Sequence, residues 1–348
     1  MAETIHVALA SYGMSGEVFH APLIAVHPHF HLKTVLERHY EKSKEKYPEV
    51  SVVKSYETLL NDADIDLIVV NTPNALHFEM CQKALDAGKH VVVEKPFTNT
   101  AAEAEALIQL AREKNRVLTV FQNRRWDGDF MTVQKVVNSG LLGNLVEYEA
   151  HYDRYRNYVE ADTWKEETGP GSGILYNLGS HMIDQALVLF GVPKNVTAML
   201  GVQREGGHIQ DFYHLILGYE YRQVVLKSSY LVREQGPRYI LHGNLGSFIK
   251  YGLDPQEDAL KAGAVPGSPG WGVEPESQWG MINTEVKGLH ITGEVTSEAG
   301  NYLLFYDNVY EAIREQKPLK VKPEEAMNVI RVIERAIESN KEGKTILC

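Results

Sequence analysis

Ile5-His6-Val7-Ala8-Leu9-Ala10-Ser11-Tyr12-Gly13-Met14-Ser15-Gly16 is the stretch on which the fold turns. A short apolar strand runs into a glycine-containing turn, and the turn opens a helix over about residues 16–26. The spacing is that of G-x-G-x-x-G, with Ser11 in place of the first glycine. In such a turn the Gly13 position lets the backbone approach a pyrophosphate, and the Gly16 position lets helix and strand pack closely. Unpaired N–H groups and the positive end of the helix dipole then face the phosphates. The motif is weak alone and gains meaning from the strand before it and the helix after it.

That context continues outward. Further strands fall at about 31–36, 50–53, 66–70, 90–94 and 117–121, alternating with helices ending at Tyr47, capped by Ser55, and spanning 75–87 and 100–114. Such alternation implies βαβ units and a parallel sheet. Unbroken apolar runs such as Val91-Val92-Val93 suit strands covered on both faces. Beyond Trp126 the texture changes. Period-two runs mark strands over 145–156, 196–204, 211–219, 223–231 and 238–249, interleaved with helices over 129–138, 179–190, 301–316 and 323–340. In the last helix Ala326, Ile330, Ile333 and Ile337 share one face, and 262–280 is a Gly- and Pro-rich loop without periodicity. The pattern predicts an α/β Rossmann domain over 1–126. An α+β domain with a large, mainly antiparallel open sheet, for substrate binding and oligomerisation, follows over 127–348, its last helix free to pack back near the boundary.

Composition narrows the partners. The 348 residues are 44% apolar and carry a net charge of −11, an ordinary soluble globule and a poor match to a nucleic-acid binder. No apolar run approaches the roughly 18 residues of a membrane helix, and MAETIHVALA lacks a secretory pattern. The two cysteines, Cys81 and Cys348, form no C-x-x-C pair, so neither a thiolate zinc site nor a disulfide scaffold is expected. His27, His29 and His31 read as loop and strand-start residues rather than metal ligands. The expectation is a cytoplasmic protein acting on a soluble small molecule without a metal.

Several positions carry chemistry. The second strand ends at Leu36-Glu37-Arg38. A carboxylate there can accept from a ribose 2′-OH and select NAD, whereas an arginine can pair with a 2′-phosphate and select NADP. His39, Lys42 and Lys44 make the local field positive, so NADP is favoured, with NAD as the alternative. Asn71-Thr72-Pro73 and Glu94-Lys95-Pro96 end the next strands at the edge where open α/β sheets bind ligands. Lys95 follows an apolar strand, which draws an ammonium pKa toward a catalytic range. Asn177 and His181 are four apart and share a face if the helix already includes Asn177. Asp153 to Arg156 are expected on the first strand of the second domain, Asp153 and Tyr155 on one face, Arg154 and Arg156 on the other.

The glycine-containing turn followed by Phe19-His20-Ala21-Pro22-Leu23-Ile24, the Glu94-Lys95-Pro96 triplet and Gly179-x-His181-x-x-Asp184 resemble the Gfo/Idh/MocA oxidoreductase family over essentially the whole chain. Asn123-Arg124-Arg125-Trp126-Asp127, Arg154-Tyr155-Arg156, and Ser247-Phe248-Ile249-Lys250-Tyr251-Gly252 before Gln256-Glu257-Asp258-Ala259-Leu260 resemble its NADP-dependent scyllo-inositol dehydrogenase branch. The resemblance implies oxidation of a polyol or sugar hydroxyl to a ketone, or the reverse. Lys95 and His181 would be the catalytic pair, meeting in a cleft between domains. The family commonly has aspartate where this chain has Asn177, and an amide can orient a hydroxyl but not take its proton.

The cofactor contacts expected with these roles start at Ser11, Gly13, Met14, Ser15 and Gly16 and continue to Glu37 and Arg38. They extend over Asn71, Thr72, Pro73 and His77, then Glu94 and Lys95, then Asn123, Arg125 and Trp126. Substrate contacts are expected from Lys95, Trp126, Asp153, Tyr155, Asn177 and His181. The resemblance also implies a homodimer or homotetramer built on the second sheet. Two competing functions belong to the same fold: a glycosidase using held NAD for transient oxidation, and a non-catalytic dinucleotide or sugar sensor.

Overall fold

Residues 4–160 and 166–348 are described by the computed structural model of this chain. The apolar runs of the first third become β1 (Ile5–Leu9), β2 (Phe30–Leu36), β3 (Ser51–Val53), β4 (Leu67–Val70), β5 (His90–Val93) and β6 (Leu118–Val120). They pair in the order β3-β2-β1-β4-β5-β6, all parallel. The order reverses between β1 and β4, the switch point at which doubly wound sheets take their ligand. Val91, Val92 and Val93 are wholly buried, as two covered faces require. Local chemistry sets the helix starts. Ser55 accepts from the Thr58 N–H, and Thr100 with Glu103 forms a reciprocal capping box at Ala101–Glu113.

The first compact unit takes the chain up to Asn123 together with Gln256–Trp271 and Asn301–Met327. Helix Leu303–Arg314 brings Phe305, Tyr306 and Val309 into its core. Phe305 meets Phe121 edge-on at 4.9 Å, and Tyr306 meets Phe30 at 5.5 Å between ring centroids. A single boundary after Trp126 does not describe this return. Periodicity reports which face of a helix is apolar, not which sheet that face will cover.

The second unit comprises Arg124–Pro255, Gly272–Gly300 and Asn328–Cys348. Its strands are β7 (Leu145–His151), β8 (Asn195–Gly201), β9 (Phe212–Gly218), β10 (Gln223–Ser229), β11 (Tyr239–Gly243), β12 (Gly246–Lys250), β13 (Gly280–Val286), β14 (Leu289–Val295) and β15 (Ile346–Leu347). They form one sheet in the order β14-β13-β12-β11-β7-β10-β9-β8-β15, in which only β7 and β10 run parallel. Helix Ser180–Phe190 covers one face: Tyr213 Oη bonds Met182 Sδ at 2.8 Å and Tyr239 Oη donates to Gln185 at 3.0 Å.

Two expectations need correction here. The run 238–249 is two strands, β11 and β12, turned through Asn244 and Leu245. The first strand stops at His151, so Asp153, Arg154 and Arg156 lie beyond it and Tyr155 keeps only an isolated bridge to Leu231. Asp153 leaves the ladder because its carboxylate accepts from the Ser229 N–H at 3.0 Å. The last helix does carry Ala326, Ile330, Ile333 and Ile337 on one face; the first three are buried and Ile337 is 37% exposed. Strands β13, β14 and β15 were not anticipated; β14 is largely exposed, although Leu289, Ile291 and Val295 alternate with polar residues.

Candidate active site

The turn after β1 is built on a latch to the end of β4. Ser11 N donates to Asn71 Oδ1 at 3.0 Å, Asn71 Nδ2 returns a bond to Ser11 O at 2.9 Å, and Ser11 Oγ donates to Asn71 O at 2.7 Å. Ser11 thus supplies a hydroxyl bond that the usual glycine could not. A Cβ at Gly16 would sit 2.5 Å from the Ser11 carbonyl oxygen and 2.7 Å from Asn71 Nδ2, so only glycine fits. At Gly13 a Cβ would meet nothing within 4 Å. Met14 beside it is exposed. The chain continues as a π-turn, Gly16–His20, into helix Ala21–Val26.

Glu94, at the end of β5, gathers this turn. Its Oε1 accepts from Ser15 Oγ at 2.6 Å and from His20 Nε2 at 3.0 Å; its Oε2 accepts from the Lys95 N–H at 3.0 Å. Burial pushes the Glu94 carboxyl up, but the bond and charge of His20, the charge of Lys95 and the bond from Ser15 outweigh it and hold the group at about 2. An ionised carboxylate only accepts, so His20 donates through Nε2; His20 Nδ1 lies 2.7 Å from Tyr306 Oη. The half-buried Lys95 is therefore held at its backbone by the same group that holds the glycine turn. His77, expected as a cofactor contact, is wholly buried: Nδ1 lies 2.9 Å from Pro96 O and Nε2 3.0 Å from Thr72 O. Burial lowers its pKa against those carbonyls. It joins the two loops rather than facing out of them.

At the end of β2, Glu37 and Arg38 part company. Glu37 is buried, with Oε2 accepting from Lys42 N at 2.8 Å and Oε1 from Ser43 N at 3.0 Å. Arg38 is exposed and has no hydrogen bond or ion pair among the described residues.

In the second unit, Arg125 forks onto Asp184 through Nε at 2.8 Å and Nη2 at 2.7 Å. This gives the aspartate of the Gly179-x-His181-x-x-Asp184 stretch its role: it fixes the segment after Asn123. Gln185 donates to Arg124 O at 3.0 Å, and Arg124 pairs with Asp127 at 3.1 Å. Asn123 and Trp126 are buried. A π-turn, Leu175–Gly179, carries half-buried Asn177 and leads into the helix whose second residue is the buried His181. Asp153 is occupied by Ser229 N and by His151 Nδ1 at 3.1 Å, while exposed Tyr155 lies under the Arg233 guanidinium at 4.3 Å.

These residues fit a dinucleotide. The Gly13 side is open, the close approach at Gly16 is filled by Ser11 and Asn71, and the half-buried Thr72 keeps a buried hydroxyl, Oγ1, without an internal partner. Ser11, Gly13, Met14, Ser15, Gly16, Thr72 and Arg38 are the groups that would hold it.

Residues 5–122 match the oxidoreductase family's NAD-binding Rossmann fold, and residues 134–347 match its C-terminal alpha/beta domain. The chain belongs to the Gfo/Idh/MocA family. Its dinucleotide-binding domain is the all-parallel unit, and as an enzyme it is a dehydrogenase or reductase acting on CH–OH groups. Among similar Gfo/Idh/MocA proteins, scyllo-inositol 2-dehydrogenase (NADP(+)) IolW of Bacillus subtilis is 44% identical, over 99% of this chain and 96% of that protein. The solved structure of the B. subtilis oxidoreductase YvaA superposes with a TM-score of 0.97 at 44% identity, covering 100% of this chain and 99% of that one. An oxidoreductase from Bacteroides fragilis gives 0.92 at 48% identity, covering 99% and 100%.

Sequence reasoning missed the bonding of His20 and Tyr306; the first was quoted only as part of a motif, and nothing local marks the second. His27, His29 and His31 have ordinary contacts: His27 bonds Asp307 at 3.0 Å, His29 stacks on Tyr310 and His31 meets His6 edge-on. Among the described residues no cluster of three or more His, Cys, Asp or Glu could hold a metal ion, and no helix is long and apolar enough to cross a membrane.

Proposed function

We propose that the protein is an NADP-preferring oxidoreductase interconverting a hydroxyl and a ketone on a cyclic polyol or sugar, with a scyllo-inositol-like substrate favoured. The observation that carries the cofactor choice is the contrast at the end of β2, where Glu37 is buried under its own loop and Arg38 stands exposed and unpaired. The substrate class is supported by the end-to-end similarity to the B. subtilis inositol dehydrogenase. When bound, the nicotinamide supplies the hydride acceptor or donor. Lys95 Nζ donates to the substrate oxygen and stabilises negative charge there. His181 takes the hydroxyl proton on a ring nitrogen, or returns it in reduction. Asn177 orients a neighbouring hydroxyl through its amide. A cytoplasmic location fits the two unbridged cysteines.

Initial rates on inositols, keto-inositols and sugars, with NADP and NAD in parallel, test this reading. Net cofactor turnover with a cyclic polyol is the expected result. Hydrolysis of an aryl glycoside without net turnover, or binding without turnover, would overturn it. Replacing Arg38 with alanine is expected to lower the NADP/NAD ratio of kcat/KM at least about tenfold, since a charge-assisted bond contributes about 1.5–3 kcal/mol. An unmoved ratio would refute the role of Arg38.

Self-association is proposed through the sheet face opposite helix Ser180–Phe190. The register aligns Ile216, Val225, Glu149, Ile240, Ile249 and Met281 in one row across six strands. Met281 and Met199 are about half exposed or more, at 48% and 63%. A two-fold pairing would cover the same row on both copies. Light scattering at micromolar concentration should give a dimer or tetramer, and Ile249→Asp should shift it toward monomer. A monomeric wild type would contradict the proposal.

A further inference from the structure

We propose that Glu37 is a positioning residue for the 2′-phosphate of NADP, not a ribose ligand: its carboxylate is the internal anchor of the loop that presents Arg38. The inference rests on the NADP reading above and concerns how that preference is built. A carboxylate ending the second strand of a Rossmann sheet ordinarily accepts from the ribose hydroxyls and selects NAD. Here both oxygens are already taken. Lys42 N reaches Oε2 at 2.8 Å, and Ser43 N and Oγ reach Oε1 at 3.0 and 2.5 Å. Glu37 is 8% exposed and Ser43 is wholly buried. Two backbone donors and one hydroxyl thus curl residues 38–43 back over the side chain.

The rest of the loop is tied from outside. Lys42 Nζ pairs with Glu17 of the first turn at 2.7 Å, and Lys54 Nζ donates to Tyr40 O at 3.1 Å. Glu37 N itself donates to Val53 O at 3.0 Å, so the anchor stands on the paired strands β2 and β3. Arg38 and His39 are left on the exposed side of this frame. A long side chain on a loop already ordered loses less conformational freedom when it captures a phosphate. Covering the carboxylate with three donors also turns its charge away from an incoming dianion. The charge that would repel a 2′-phosphate has become the peg that orders its binding loop.

The two roles predict opposite signs. If Glu37 were a ribose ligand, Glu37→Gln would weaken NADH and raise the preference for NADPH. As an anchor, Glu37→Gln replaces an acceptor oxygen with an amide that opposes a backbone N–H. The loop then loosens, and NADPH binding should weaken about tenfold with NADH little changed. Fluorescence titration of the full chain with NADPH and NADH reads this directly. Ser43→Ala removes only the hydroxyl donor and should move NADPH affinity the same way, about threefold. It carries the test if Glu37→Gln does not fold. A preference for NADPH that holds or rises in the variants overturns the anchor. The underlying reading fails separately, if the wild type binds NADH as tightly as NADPH and Arg38→Ala changes neither. In that case no 2′-phosphate contact is left for Glu37 to position and the anchor role falls with it, while lost NADH binding by Glu37→Gln would make the carboxylate a ribose ligand.

Discussion

Lys95→Met and His181→Ala should each lose about 10²–10⁴ of kcat, and the double variant should be little slower than either. In the proposed mechanism one proton transfer needs both: a base to take the proton and a cation to hold the charge left on oxygen. The surrounding frame survives each change. The backbone at Lys95 is held through the Glu94 carboxylate, which Ser15 and His20 bond independently of the lysine side chain. The helix bearing His181 is held by the Asp184–Arg125 fork and by Gln185 on Arg124 O. Both variants should therefore bind NADPH as the wild type does, which separates lost chemistry from lost binding. Asn177→Asp is the companion: a carboxylate there should raise kcat or shift the pH–rate profile. Full activity in His181→Ala would remove the histidine from the mechanism.

Valine at Gly13 and valine at Gly16 should fail in different ways. With nothing within 4 Å of the new Cβ, Gly13→Val leaves the fold undisturbed and its Tm close to wild type. Its branched side chain occupies the space a pyrophosphate would use, and NADPH should bind on the order of a hundredfold more weakly, about 2.7 kcal/mol. Gly16→Val drives a Cβ to 2.5 Å from a backbone oxygen and breaks into the Ser11–Asn71 latch, so it should cost about 1–3 kcal/mol of stability and lower Tm. Calorimetry and NADPH titration on the same two proteins check both halves. A Gly13→Val protein with unchanged NADPH affinity would move the cofactor away from this turn.

What the sequence made legible was whatever depends on neighbours a few residues away. The β1–Ser11–Gly16 turn, the helix opening at Thr100 and the parallel character of the first sheet follow from short-range spacing and strand–helix alternation. What stayed hidden involves pairs far apart in the chain: Glu94 with His20 and Ser15, His20 with Tyr306, Arg125 with Asp184. Their residue types are unremarkable until the fold joins them. Direction was hidden as well. Glu37 lies where a ribose acceptor belongs, yet its side chain turns back on Lys42 and Ser43, and Asp153 was assigned to a strand that ends at His151 because a carboxylate bond to Ser229 N displaces it. Strand β13 does alternate, but it follows a Gly- and Pro-rich stretch that masks where the period begins.

The return of Asn301–Met327 to the first unit sets a timetable for the ribosome. Strands β1 to β6 emerge first, yet Phe19, Phe30 and Phe121 acquire their partners Tyr302, Phe305 and Tyr306 only after every strand from β7 to β14 has been made. Until then the nascent sheet carries an uncovered aromatic face, the kind of surface that chaperones hold and that otherwise aggregates. The same wiring limits modularity. Cutting the gene after Trp126 would carry off the motifs expected to contact the cofactor and leave behind the aromatic cover that completes their sheet, so the first unit is not contained in one continuous stretch of chain.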